Sequence, residues 1–118
     1  MFADDASSPI PSVNNLDVVA QRRTGGADLV IVVKKPMPGD EQSLRRLMQK
    51  IENYLGFILS GEFEQEFGPP DPSKVRIVVK IDKRSDPAVF ELLRQCEPWA
   101  LDNKTTLVVD TDMAQGDP

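Results

Sequence analysis

The period of the hydrophobic positions changes several times along this chain, and each change marks an element. Leu16 to Arg22 alternates weakly through Leu16, Val18, Val19 and Ala20, and Leu29 to Val33 is an unbroken apolar run. Thr24, Gly25 and Gly26 stand between them, so the pattern predicts a β-hairpin whose second strand is apolar on both sides and central in a sheet. Pro36, Met37, Pro38 and Gly39 stop that strand. Asp40 then caps a helix and Glu41 sits in its first turn. Leu44, Leu47, Met48, Ile51, Tyr54, Leu55, Ile58 and Leu59 recur at helical spacing over about four turns. Gly61 stands where a residue just past the helix end is expected. Phe63 and Phe67 suggest an extra turn before Gly68, Pro69 and Pro70. Lys74 to Ile81 alternates, with Val75, Ile77, Val79 and Ile81 set against Lys74, Arg76, Val78 and Lys80, which predicts a half-buried strand. Asp86 and Pro87 open a second helix, striped by Val89, Phe90, Leu93 and Cys96 and ended by Pro98. Thr105 to Asp110 is a last short strand.

The order ββαβαβ predicts an α/β (α+β) two-layer sandwich: a four-stranded mixed sheet, order 1-2-3-4, with two helices on one face. The hairpin is antiparallel and each later crossover is parallel and right-handed. Residues 1–12 read as a disordered leader, 13–111 as a single domain and 112–118 as a flexible tail. The leader has neither the basic start nor the long apolar stretch of a secretory signal.

One sheet face is left without helices in such a sandwich. Val75, Ile77, Val79 and Ile81 are expected to face the helices, with Lys74, Arg76, Val78 and Lys80 outward. The second strand must also send part of its run outward, either Val30 and Val32 or Leu29, Ile31 and Val33. The open face thus has an apolar middle and a basic margin, a pattern found at partner sites. Three outcomes stay open: cover by a tail or by the connection holding Trp99, contact with a second copy or another partner, or simple exposure.

Composition narrows the chemistry. The 118 residues hold 14 basic and 19 acidic side chains, a net charge of -5. Four of those negative charges sit at the ends, on Asp4, Asp5, Asp112 and Asp117. The body is close to neutral, with an acidic loop at Glu62, Glu64, Glu66 and Asp71. The sequence has no histidine, the commonest general base, and one cysteine, Cys96. Cys96 falls near the end of a helix on its apolar side, where a buried structural thiol is expected rather than a nucleophile. The carboxylates at 62–66 read as a solvated face. Asp82 near Lys80 and Lys83, and Asp110 near Asp112, are weak approximations to catalytic or metal-binding carboxylates. No phosphate-binding glycine loop or nucleophile elbow is present. Lys34, Lys35, Lys74, Arg76 and Lys80 could form a basic stripe, but the overall acidity argues against nucleic acid. The longest wholly apolar run is five residues, so no membrane span is expected.

The segment from Lys50 to Glu62, KIENYLGFILSGE, flanked by the Leu29–Val33 and Val75–Ile81 strands, resembles an uncharacterised family of small bacterial proteins, a domain of unknown function. The matching positions are Lys50, Asn53, Tyr54, Ser60 and Gly61. The resemblance implies a bacterial, cytoplasmic protein and carries no activity. Lys50, Asn53 and Tyr54 lie close together on the helix. They read either as a small polar partner site or as a helix-to-loop hydrogen-bond network.

The sequence therefore points to a non-enzymatic interaction module, with no cofactor or metal expected and self-association or a protein partner as its mode of action. The candidate contact residues are Lys50, Asn53, Tyr54, Glu62, Glu64, Glu66, Arg76, Val78 and Lys80. An immunity- or antitoxin-type inhibitor working through the acidic 62–71 segment is the alternative. A small hydrolase-like enzyme and a nucleic-acid accessory protein rank behind both. A small-molecule ligand is not specified by the sequence.

Overall fold

The computed structural model describes residues 4–5, 7–23 and 25–111. Seven elements follow one another: β1 (Val18–Gln21), β2 (Ala27–Val32), α1 (Glu41–Ile58), α2 (Gly61–Phe67), β3 (Val75–Lys80), α3 (Pro87–Asp102) and β4 (Thr106–Asp110). The sheet is four-stranded and mixed, in the order β1-β2-β3-β4. β1 runs antiparallel to β2, while β2–β3 and β3–β4 are parallel. This is the α+β sandwich expected, with one additional short helix. No helix among the described residues is long and apolar enough to cross a membrane.

The hairpin turn depends on glycine. Gly25 and Gly26 have φ values of 94° and 85°, backbone that costs other residues strain. A Cβ at Gly26 would also stand 2.3 Å from the Lys74 carbonyl oxygen, so the turn packs directly on the entry to β3.

The core lies between the sheet and the helices. Ala27, Leu29, Ile31 and Val33 from the β2 segment, with Val75, Ile77, Val79 and Ile81 from the β3 segment, are all fully buried. They meet Leu47, Ile51, Tyr54, Leu55 and Ile58 of α1 and Val89, Leu93, Cys96 and Ala100 of α3 in one cluster. The open choice in β2 is thereby decided: Val30 and Val32 point away from the helices. Met48 and Leu59, expected on the α1 stripe, are 44% and 49% exposed, because the buried arc turns toward Arg46, Lys50 and Tyr54 instead.

Four local expectations are corrected. Gly61 does not end α1; Leu59 is the C-cap, and Gly61 opens α2. The Ser60 hydroxyl donates to the Phe57 carbonyl and accepts from the Phe63 amide, closing one helix and capping the next. The acidic stretch is therefore helical over Gly61–Phe67 rather than a loop. Buried Phe63 anchors it, edge-on to Phe57 at 5.6 Å. Pro98 does not stop α3, which runs on to Asp102. The carbonyl that loses its helix donor belongs to exposed Arg94, where solvent can serve it, and the continuation buries Ala100.

The fourth correction concerns the N-terminal segment. Residues 9–13 are not a free leader. Ile10 and Val13 are fully buried, and the Lys34 amide donates to the Pro9 carbonyl at 2.8 Å. The proline- and serine-rich composition looks disordered, yet two apolar side chains three residues apart suffice to dock a strap on α1. The expected tail at 112–118 lies outside the described residues.

Candidate functional site

The sequence points to three surfaces, and the structure treats them differently. The first is the outward sheet face. Strand register arranges it in three rows running across the strands. Ala20, Asp28, Arg76 and Thr106 form one; Val18, Val30, Val78 and Val108 form the middle; Val32, Lys80 and Asp110 form the third. The middle row is thus one valine from each strand. Arg76, Val78 and Lys80 all lie on this face, as expected.

The margins of the face are ion pairs rather than free bases. Arg76 makes a two-pronged contact with Asp28, Nε to Oδ1 at 2.9 Å and Nη2 to Oδ2 at 2.6 Å. The hydrogen bonds from Arg76 hold the Asp28 carboxyl below its ordinary pKa. Lys80 Nζ lies 3.3 Å from Asp110 Oδ2. The sequence did not reveal Asp28 as the partner of Arg76 or Asp110 as the partner of Lys80, because strand pairing, not spacing along the chain, brings them together.

Val30 and Val78 are each only 9% exposed, although both long helices pack on the other side of the sheet. Arg76 and Lys80 flank Val78 on the same strand and face. Trp99 does not cover the face; it sits in α3, packed against the core. Val18, at the sheet edge, is 48% exposed.

The second surface, Lys50, Asn53 and Tyr54, is an internal latch. Lys50 is 1% exposed and donates to the Ser12 carbonyl, the Asn15 carbonyl at 3.0 Å and Asp17 Oδ1 at 2.9 Å. Those three acceptors satisfy its three N–H bonds. Arg46, one turn earlier, donates to the carbonyls of Ile10 and Pro11. Asn53 donates to the Val13 carbonyl at 3.0 Å. Tyr54 donates to the Val30 carbonyl at 2.9 Å and accepts from the Asp17 amide at 2.8 Å. Burial pushes the Tyr54 phenol well above its ordinary pKa, so it stays neutral. One face of α1 therefore reads the backbone of the strap carbonyl by carbonyl. The arrangement is the helix-to-loop network and not an exposed polar site. Arg46 was missed because its acceptors, Ile10 and Pro11, belong to a segment read as disordered, and Asp17 because its partners Val32 and Lys50 lie 15 and 33 residues away along the chain.

The third surface is α2. Glu62, Glu64 and Glu66 are all exposed. Glu62 and Glu64 lie in its first turn, where negative charge is favoured by the helix dipole. That gives Glu62 and Glu64, though not Glu66, a local structural reason.

Two concavities are formed by described residues. A half-open groove of about 200 Å³ lies between the strap and α1, lined by Val13, Asn14, Asn15, Leu16, Asn53, Tyr54 and Phe57. A shallow depression of about 460 Å³ is lined by Pro36, Met37, Pro38, Arg84 and Asp86. The ionisable groups there have structural tasks. Asp86 caps α3 through the Ala88 amide, and Arg84 holds Asp82, whose carboxyl is lowered to about 2 mainly by that hydrogen bond. Desolvation raises the buried Cys96 thiol. No group of three or more His, Cys, Asp or Glu side chains among the described residues is placed to hold a metal ion.

No family model matches the chain, nor does any curated protein or solved structure match it. The surface rows and the latch are therefore interpreted from their own chemistry.

Proposed function

We propose that the protein is a non-enzymatic interaction module whose working surface is the outward sheet face. One observation carries this reading: strand register builds a continuous row of four valines across the sheet, bordered on both sides by ion pairs. A central apolar band with a charged rim is the anatomy of a contact surface. Two features of the alternative surfaces have internal explanations: Lys50, Asn53 and Tyr54 hold the strap, and Glu62 and Glu64 suit the N-terminus of α2. Cys96, free and buried, is compatible with a reducing cytoplasmic setting.

Site-directed photo-cross-linking in cells tests the reading. A photoreactive residue at Val18 or Val108 is expected to give discrete adducts, and one at Met48 or Leu101 on the helical side none. Adducts from the helical positions alone would contradict it.

A further inference from the structure

We infer that the partner of the outward face is a second copy of this chain, related by a two-fold axis parallel to the strands and passing between β2 and β3. The inference rests on the reading of this face as a contact surface and supplies what that reading lacks, an occupant and a geometry.

The argument comes from register. A two-fold contact brings the same patch of both molecules together, so the patch must complement itself. An axis along the strands, midway between the central pair, lays β2 on the partner's β3 and β1 on the partner's β4, row on row. Asp28 and Arg76 sit directly opposite each other in the β2–β3 register. The rotation exchanges their positions, so each carboxylate meets a guanidinium across the contact. The two internal pairs close into a box of alternating charge. In the middle row, Val30 meets Val78 and Val18 meets Val108, and every apolar side chain finds an apolar partner. In the third row, the Lys80 stem lies over Val32.

The other in-plane two-fold, running along the valine row across the strands, does worse. It also stacks valine on valine, but it reverses the strands and lays the first row on the third. Arg76 then faces Lys80, two cations across a closed contact, and Asp28 faces Val32. Charge thus selects between two axes that apolar packing alone does not distinguish. Strands in the selected arrangement stay aligned across the interface, the usual geometry for stacked sheets.

Size sets the strength. Four strands about 4.8 Å apart and some five residues long present about 300 Å² per molecule. The total is well below the roughly 1,200 Å² at which stable interfaces begin, so the pair is weak and exchanges rapidly. The low exposure of Val30 and Val78 acts in the same direction, and gives a monomer that stays soluble when dilute.

Disulfide trapping tests both the partner and the axis. Val18 and Val108 lie on opposite edge strands, separated by three strand spacings, about 14 Å, so a bond between these positions cannot form within one molecule. Val18→Cys and Val108→Cys are prepared separately and oxidised alone and as an equimolar mixture, with buried Cys96 present in each. The mixture is expected to give a covalent heterodimer in at least about tenfold excess over either homodimer, and neither variant alone to cross-link appreciably. Homodimers from each variant alone would overturn the axis and support the cross-strand alternative. No cross-link at millimolar concentration, with the native circular dichroism retained, would overturn the second copy as occupant. Photo-adducts with another protein from Val18 or Val108 would then leave the contact-surface reading standing.

Discussion

Lys50 shows how completely a charged residue can be absorbed into structure. It carries its charge into the core side of α1 at 1% exposure and is held by two carbonyls and Asp17. Lys50→Met keeps the apolar stem but strands those acceptors, and is expected to cost about 3 kcal/mol, read as a lower denaturant midpoint. An unchanged midpoint would contradict the latch. The carboxyls of Asp28 and Asp82 are held below their ordinary value by Arg76 and Arg84, Asp82 at about 2. A carboxyl lowered in the folded state contributes stability that is present above the unfolded value and lost as pH falls through the folded one. Stability is therefore expected to fall from about pH 4 toward pH 2. The sequence has no histidine, so its side chains leave stability nearly flat from about pH 5 to 8. Thermal unfolding across pH checks both limbs, and a marked step near pH 6.5 would be inconsistent with them.

At the scale of elements, what was legible followed from local periodicity. The glycine turn, the Asp40 and Asp86 caps, the α1 stripe and the alternation in β3 each declare themselves within a few residues, and their order dictates the sheet. What was not legible depends on contacts far along the chain. The strap is tied by bonds spanning 35 to 40 residues, from Arg46, Lys50 and Asn53 back to residues 10–15. Nothing in the composition of residues 1–12 reveals that Ile10 has a core to enter. Ser60 misled in another way, since one hydroxyl ends α1 and starts α2 and moves the helix boundary off Gly61. Deleting residues 1–12 separates a docked strap from a loose leader. Loss of Ile10 burial alone removes about 2 kcal/mol, so calorimetry is expected to show a clearly lower Tm. An unchanged Tm would mean the strap contributes nothing.

The inner sheet face is closed by helices and the strap, whereas the outer face, among the described residues, carries the valine row and its two bordering ion pairs. Alternation in β3 announced Arg76, Val78 and Lys80 as outward, but the valine row and the Asp28–Arg76 pair exist only once register is known. Candidate contact residues were thus partly visible in the sequence, and their complementarity was not. The central claim is that this face meets another copy of itself. Amide chemical shifts recorded from low-micromolar to millimolar concentration test it most directly. The account predicts progressive shifts within residues 18–20, 28–32, 76–80 and 106–110 while α1, α2 and α3 stay unchanged. Concentration-independent spectra, or shifts confined to the helices, would contradict it.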